Sequence, residues 1–333
     1  MSSPAPIESY AELLKQGNLV VFPTETVYGL GASAWNPKAV QQIFKTKGRP
    51  GDNPLIVHIS SIDMVKQFTD QVSGRARTLM QKFWPGPLTL VFPKKPGVLD
   101  AVTAGLDTVA LRMPDHPIAL QLIELAGPLV APSANKSGRP SPTRAEHIRS
   151  DYGNSLPLID GGECDLGLES TVIDMSVNPP VILRPGYITA KQIEEACGFH
   201  PEMATYSASD SSGPKSPGMK YTHYAPKAKV EWLSTEHITL LNASSDNSGS
   251  LIILHSMDNP VNQPHKGLKV MHFNSDYRRL AHQLYDCFRK ADFDKVKRIY
   301  IEPFNDELIK ENQPVEALQN RISKATGSRS SQL

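Results

Sequence analysis

Residues 23–58 read PTETVYGLGASAWNPKAVQQIFKTKGRPGDNPLIVH, and the rest of the 333-residue chain is arranged about them. The apolar run 19–22 just before this stretch predicts a buried strand. It is followed by a polar, glycine-containing turn of Thr24, Glu25, Thr26, Tyr28, Gly29 and Gly31, at a strand end where ligands commonly bind. Asn36 followed by Pro37 has the form of a helix cap with proline at the first helical position, and Val40, Ile43 and Phe44 recur at helical spacing. That helix delivers Lys45, Lys47 and Arg49. Gly48 and Pro50 should end it, which places Lys47 and Arg49 on an irregular segment before a strand over 55–59. Two cations beside a polar turn predict an anion site; taken alone, the same cations would also suit a solvated helix end facing its macrodipole.

Outward from this stretch, a helix is expected over 7–16, with Gly17 as its cap. On the other side come two short helices near 64–68 and 76–83, strands over 88–92 and 108–112, a helix over 117–126, and a strand over 129–131 that runs into Pro132-Ser133-Ala134-Asn135. Three further strands, 157–160, 170–175 and 180–183, follow one another without helices, which implies a mixed sheet because short connections join antiparallel neighbours. A helix over 189–197 closes this first α/β domain, expected to span 1–203. Residues 204–228 are rich in Ser, Pro, Gly and Lys, bury no core, and read as a linker. Residues 229–333, with strands over 229–233, 251–255, 268–273 and 298–301 and helices over 277–291 and 315–325, form a second, smaller α/β domain without a glycine-rich fingerprint.

Lys plus Arg at 35 against Asp plus Glu at 34 leaves no global field to attract a polyanion, so any such site must be local. Three scattered cysteines give neither a disulfide framework nor a zinc spacing and are expected to be reduced. No apolar run approaches the roughly 20 residues of a membrane helix, and the first residues lack the pattern of a signal peptide. The expected address is cytoplasmic, with no membrane partner.

PTETVYGLG (23–31), KGRP (47–50), NPLIVH (53–58) and APSAN (131–135), taken together, resemble the YrdC-type family of L-threonylcarbamoyladenylate synthases, in its long form and over most of the chain. The resemblance implies a YrdC-type twisted mixed sheet followed by a Rossmann-like domain. It implies a nucleotidyltransferase that condenses L-threonine, bicarbonate and ATP, with Mg2+, into threonylcarbamoyl-AMP and pyrophosphate. That intermediate would pass to a downstream threonylcarbamoyl transferase complex acting on adenosine 37 of ANN-decoding tRNAs. Such chemistry asks for in-line positioning and for neutralisation of charge on the pyrophosphate, so cations, hydroxyls, amides and a metal ion are expected rather than a nucleophile triad.

On this resemblance Lys47 and Arg49 are the catalytic residues and also bind ATP. Thr24, Tyr28, His58, Arg112 and Ser170 fall to threonine, because selecting threonine over valine requires a hydrogen bond to its hydroxyl. Ser133, Asn135, Arg139, Arg144, Arg184, His223 and Tyr224 fall to the nucleotide. Read from the residues alone, His58 equally suits a core histidine, Ser133 and Asn135 an ordinary turn, and Arg139 and Arg144 surface cations; Arg112 needs a partner if it is buried. Residues 217–226, PGMKYTHYAP, match a segment that folds over the active site in long family members, with Gly218 as hinge; the alternative is a spacer. Gln313-Pro314-Val315-Glu316-Ala317 departs from the small residues expected before Asn320-Arg321. An RNA-binding module is the competing reading of the cations, and the near-neutral total charge and the lack of interleaved aromatics oppose it as sole function; a weak tRNA contact beside the chemistry remains compatible.

Overall fold

A computed structural model describes residues 5–204, 224–244, 246–256 and 267–327. The chain divides into two compact units, Met1–Ser137 with Ser141–Tyr221, and Gly138–Pro140 with Thr222–Leu333. The linker expected over 204–228 therefore lies mostly outside the described residues.

Among its described residues the first unit is built on nine strands: β1 (Val20–Phe22), β2 (Gly29–Ser33), β3 (Ile56–His58), β4 (Leu88–Pro93), β5 (Thr108–Arg112), β6 (Leu129–Val130), β7 (Thr171–Asp174), β8 (Val181–Arg184) and β9 (Glu202–Met203). Their order is β1-β2-β6-β3-β5-β4-β7-β8-β9, with β3–β5, β4–β7 and β8–β9 parallel and the other pairs antiparallel, so the sheet is mixed as expected. Among the described residues seven α-helices accompany it, α1 (Ile7–Lys15), α2 (Pro37–Lys47), α3 (Gly74–Phe83), α4 (Asp100–Thr103), α5 (Pro117–Ala126), α6 (Ala145–Tyr152) and α7 (Ala190–Cys197), and the helix expected near 64–68 is a 3-10 turn over Ile62–Gln67. The period-two alternation of a strand divides the core between two faces. Val20 and Phe22 fall in one apolar cluster with Leu14 of α1 and Leu122 of α5, while Val21 belongs to the larger cluster that contains Ile43 of α2 and Leu79 of α3.

Three expectations need correction. Lys47 is not on an irregular segment: it is the last residue of α2, whose Asn36 cap accepts from the amides of Lys38 and Ala39 and whose end is set by Gly48 at φ +62°. The turn after β1 is shorter than the sequence suggests, because residues 29–31 pair antiparallel with β1 and residues 32 and 33 with β6. Glycine disguised this strand, yet the packing requires it, since a Cβ on Gly31 would lie 2.8 Å from the Phe22 ring. Residues 157–160 form no strand; they make a single bridge, Val21 to Leu158, before Gly161-Gly162 turns the chain away.

The second unit carries β10 (Lys229–Trp232), β11 (Ser250–Leu254), β12 (Lys269–His272) and β13 (Arg298–Ile301), all parallel, in the order β10-β13-β11-β12. With α8 (Thr235–Ala243), α9 (Tyr277–Phe293), α10 (Asp306–Glu311) and α11 (Val315–Ala325), this is the Rossmann-like arrangement. The unusual residues before Asn320 do not disturb α11, which begins at Val315 and buries Arg321 completely. Tyr224, at φ +68°, stacks on Tyr285 with ring centroids 5.5 Å apart, and the Arg321 guanidinium lies 5.5 Å from the Tyr224 ring centroid. Among the described residues no helix is long and apolar enough to cross a membrane.

Candidate active site

The C-terminal end of α2 aims the Lys47 ammonium at the loop after β6. Its Nζ donates to the carbonyl oxygens of Ser133 and, at 2.6 Å, of Asn135, which ties KGRP to APSAN. Within that loop the Ser133 hydroxyl donates to Asn135 Oδ1 at 2.6 Å, and Asn135 Nδ2 donates to Lys136 O at 2.8 Å. Lys47 is buried, whereas Lys45 is exposed and behaves as the solvated helix end that the sequence also allowed. Arg49 is half-buried and donates through Nη2 to Asn53 O at 3.3 Å and Pro54 O at 3.1 Å. These bonds tie residues 49–54 into a loop, and the Asn53 side chain on it is buried. Sequence reasoning passed over Asn53: it is 1% exposed, and neither its Nδ2 nor its Oδ1 has a hydrogen-bond partner among the described residues.

The shortened turn from β1 to β2 runs beside the same loop, since Leu30 N donates to Pro132 O, Ala134 N to Tyr28 O and Tyr28 N to Pro142 O. Thr24 organises this turn, donating to Val27 O at 2.7 Å and accepting from the amides of Thr26 and Val27 at 3.2 Å. The Tyr28 hydroxyl donates to Gly162 O at 2.7 Å and accepts from Gly161 N at 3.1 Å, so it fixes the Gly161-Gly162 turn, and burial raises its pKa. Both hydroxyls thus bond the protein's own backbone.

On the sheet, the parallel register of β3 with β5 sets His58 opposite Arg112. His58 is buried, its Nδ1 lies 3.3 Å from Ile56 O, and burial together with the Arg112 charge pulls its pKa down to about 3. The ring is therefore neutral near pH 7 and acts as a hydrogen-bonding group, not a cation. Arg112 does have the partner its burial demands: Nη2 lies 2.7 Å from Glu25 Oε2, while Nε donates to Gly86 O at 3.3 Å. The Arg112–Glu25 contact is close but poorly aligned, and Arg112 Nη2 and both Glu25 oxygens make no hydrogen bond among the described residues. Glu25 is the second group that the sequence reading left without a role.

Ser170 and Arg184 meet at the edge of β7. Arg184 donates from Nε and Nη2 to Ser170 O at 3.1 and 2.9 Å and from Nη2 to Ser170 Oγ at 3.1 Å, while Ser170 Oγ shares a 2.8 Å hydrogen bond with Thr89 Oγ1. The chain can approach this closely because residue 186 is glycine: a Cβ there would sit 2.3 Å from Thr171 N. Arg144 pairs with Glu163, Nη2 to Oε1 at 2.6 Å, and Arg139 is half-buried and groups with the second unit, as Tyr224 does. His223 lies outside the described residues. The three thiols are free, with pKa values raised by burial, that of Cys287 up to about 12, so none is a ready nucleophile.

A family model described as "Telomere recombination", the Sua5/YciO/YrdC domain, matches residues 12–186. The chain belongs to this family. A second model, "Threonylcarbamoyl-AMP synthase, C-terminal domain", matches residues 188–327 and marks it as a long-form member. Threonylcarbamoyl-AMP synthase of Bacillus subtilis is 45% identical over 330 residues, covering 97% of this chain and 93% of the relative. The enzyme of the same name from Schizosaccharomyces pombe is 36% identical, covering 96% and 88%. A crystal structure of Pyrococcus abyssi Sua5 complexed with L-threonine superposes with a TM-score of 0.84 at 40% identity, covering 97% of this chain and 94% of that one.

Proposed function

We propose that the chain is a cytoplasmic threonylcarbamoyl-AMP synthase, a nucleotidyltransferase that joins L-threonine, bicarbonate and ATP and releases pyrophosphate. The observation that carries this reading is the meeting of segments 47–54 and 131–135, where the buried Lys47 ammonium is bonded to the Ser133 and Asn135 carbonyls beside Arg49 and the unpartnered Asn53 amide. Full-length similarity to enzymes bearing that name supports it.

In this reading Arg49 and Lys47 neutralise phosphate oxygens, Arg49 through its planar fork and Lys47 as a point charge. The Asn53 amide, too costly to leave buried and unbonded, finds its partner in the bound nucleotide. His58 stands as the neutral partner of the threonine hydroxyl, with Arg112 and Ser170 in the same subsite, while Thr24 and Tyr28 shape it through the backbone they hold. Arg184, Arg139, Arg144, His223 and Tyr224 are assigned to the nucleotide.

Among the described residues no group of three His, Cys, Asp or Glu forms a metal cage. Mg2+ would arrive with ATP, held by triphosphate oxygens and water. The ion would supply charge neutralisation at the leaving pyrophosphate. The product, an acyl adenylate prone to hydrolysis, calls for direct hand-over to a threonylcarbamoyl transferase complex, with a weak tRNA contact compatible with the local cations. Incubation with labelled bicarbonate tests the reading: label should enter an adenylate that also contains threonine, and an adenylate without bicarbonate carbon would refute it.

A further inference from the structure

The Glu25 carboxylate has no function in the reading above, and its surroundings are those of an incomplete site. It is 4% exposed, yet neither oxygen makes a hydrogen bond among the described residues, although a carboxylate offers about four acceptor positions. The groups around it come from several elements. Arg112 reaches it from β5, with His58 registered beside Arg112 on β3. His116, whose Nδ1 is buried and also without a partner, follows β5, and Cys164 stands on the loop after Gly162. The other acids nearby, Asp115 and Asp165, are exposed. Glu25 is therefore the one buried anion of this group. A buried ion pair kept for stability alone needs good alignment and satisfied oxygens, and this one has neither.

An amino acid reaches the site as a zwitterion. Arg112 can meet its carboxylate, but the residues assigned above include no anion for its ammonium. We infer that Glu25 is the residue that binds the α-ammonium of the amino acid substrate. The ammonium brings three N–H donors to two oxygens that lack them, and the Glu25–Arg112 pair, neutral as a whole, leaves the zwitterion neutral as well. Amines without a neighbouring carboxylate, and hydroxy acids without an amine, are both rejected by this arrangement. The inference rests on the synthase reading and adds to it the source of amine specificity.

Calorimetry on the full chain tests it with two probes, L-threonine and its analogue carrying a hydroxyl in place of the amine. Wild type should bind threonine about tenfold or more tightly than the analogue, the worth of a charge-assisted hydrogen bond. Glu25→Gln should lose most of that preference while binding ATP as before. Should Arg112 without its counter-ion unfold that variant, the double variant Glu25→Gln/Arg112→Gln carries the same comparison, because the readout is the ratio between probes rather than activity. A variant that keeps the full preference, or a wild type that shows none, overturns the role of Glu25 and leaves the synthase reading intact. A wild type that binds neither probe and makes no product overturns both.

Discussion

Lys47 holds the fold through two loop carbonyls and, in the proposed reading, also serves the reaction, so its substitution should show both effects. Removing its Nζ leaves two loop carbonyls without their donor, a loss of about 1–3 kcal/mol of stability, and removes a charge-stabilising donor from the reaction, about 3 kcal/mol or a hundredfold in rate. Arg49→Ala should lose a comparable rate with a smaller loss of stability, because its side chain is only half-buried. Urea melts beside kcat/KM for both variants separate the two effects, and unchanged turnover in both would remove them from the site. His58 carries a pH signature. Its folded pKa is depressed to about 3 from an ordinary value of 6.5, so the unfolded chain takes up a proton that the folded chain refuses. Its effect on stability is absent above about pH 6.5 and grows at up to about 1.4 kcal/mol per pH unit as the pH falls towards 3. His58→Gln should therefore flatten the fall in urea midpoint between pH 7 and about 4.5; an unaltered slope would contradict the buried neutral imidazole. The cations were legible at this scale because a lysine and an arginine beside Pro50 announce their chemistry by type. Glu25 and Asn53 were not, because nothing in a residue's identity says that it will be buried without a partner. The hydroxyls of Thr24 and Tyr28 were legible as polar groups, though not as ones that bond their own backbone.

At the level of elements, apolar runs were readable and polar burial was not. The four strands of the second unit stood out as short β-branched and aliphatic runs. The helix α6 did not, since AEHIRSDY buries His147 and Asp151 beside Ala145 and Ile148 and so hides its apolar face. The helix α8 is started by a capping box of Ser234 and His237, a pairing outside the usual Glu or Gln signature. The strand β2 was masked by its two glycines, of which Gly31 takes a place too tight for a side chain. The same closeness at Gly186 makes a prediction for the Ser170–Arg184 junction. A methyl group there meets backbone at 2.3 and 2.6 Å and can be accommodated only by moving the entry to β7. Gly186→Ala, crowded against backbone, should cost about 3 kcal/mol of stability and depress activity with it. Gly48→Ala, with open space around its Cβ and only its left-handed φ to strain, should cost about 1 kcal/mol. Equal melting temperatures for the two variants would refute the crowding at Gly186.

For the whole molecule, the near balance of charge turns attention from a global field to a local cluster, and the family motifs name the residues proposed for it. What the sequence could not convey was the internal chemistry of the second unit, where Arg321 is fully buried beneath the Tyr224 ring. Arg321→Ala should destabilise that unit by about 2–3 kcal/mol, because a fully buried guanidinium that bonds Asn320 and lies on the Tyr224 ring is lost, and a thermal melt with no change would show it to be dispensable. The account as a whole makes one demand on the reaction, that pyrophosphate leaves ATP only as threonine and bicarbonate are joined to the adenylate. Pyrophosphate release, followed with each of ATP, L-threonine and bicarbonate withheld in turn, measures this directly. The account predicts release only when all three are present; release from ATP at the same rate without threonine would contradict it.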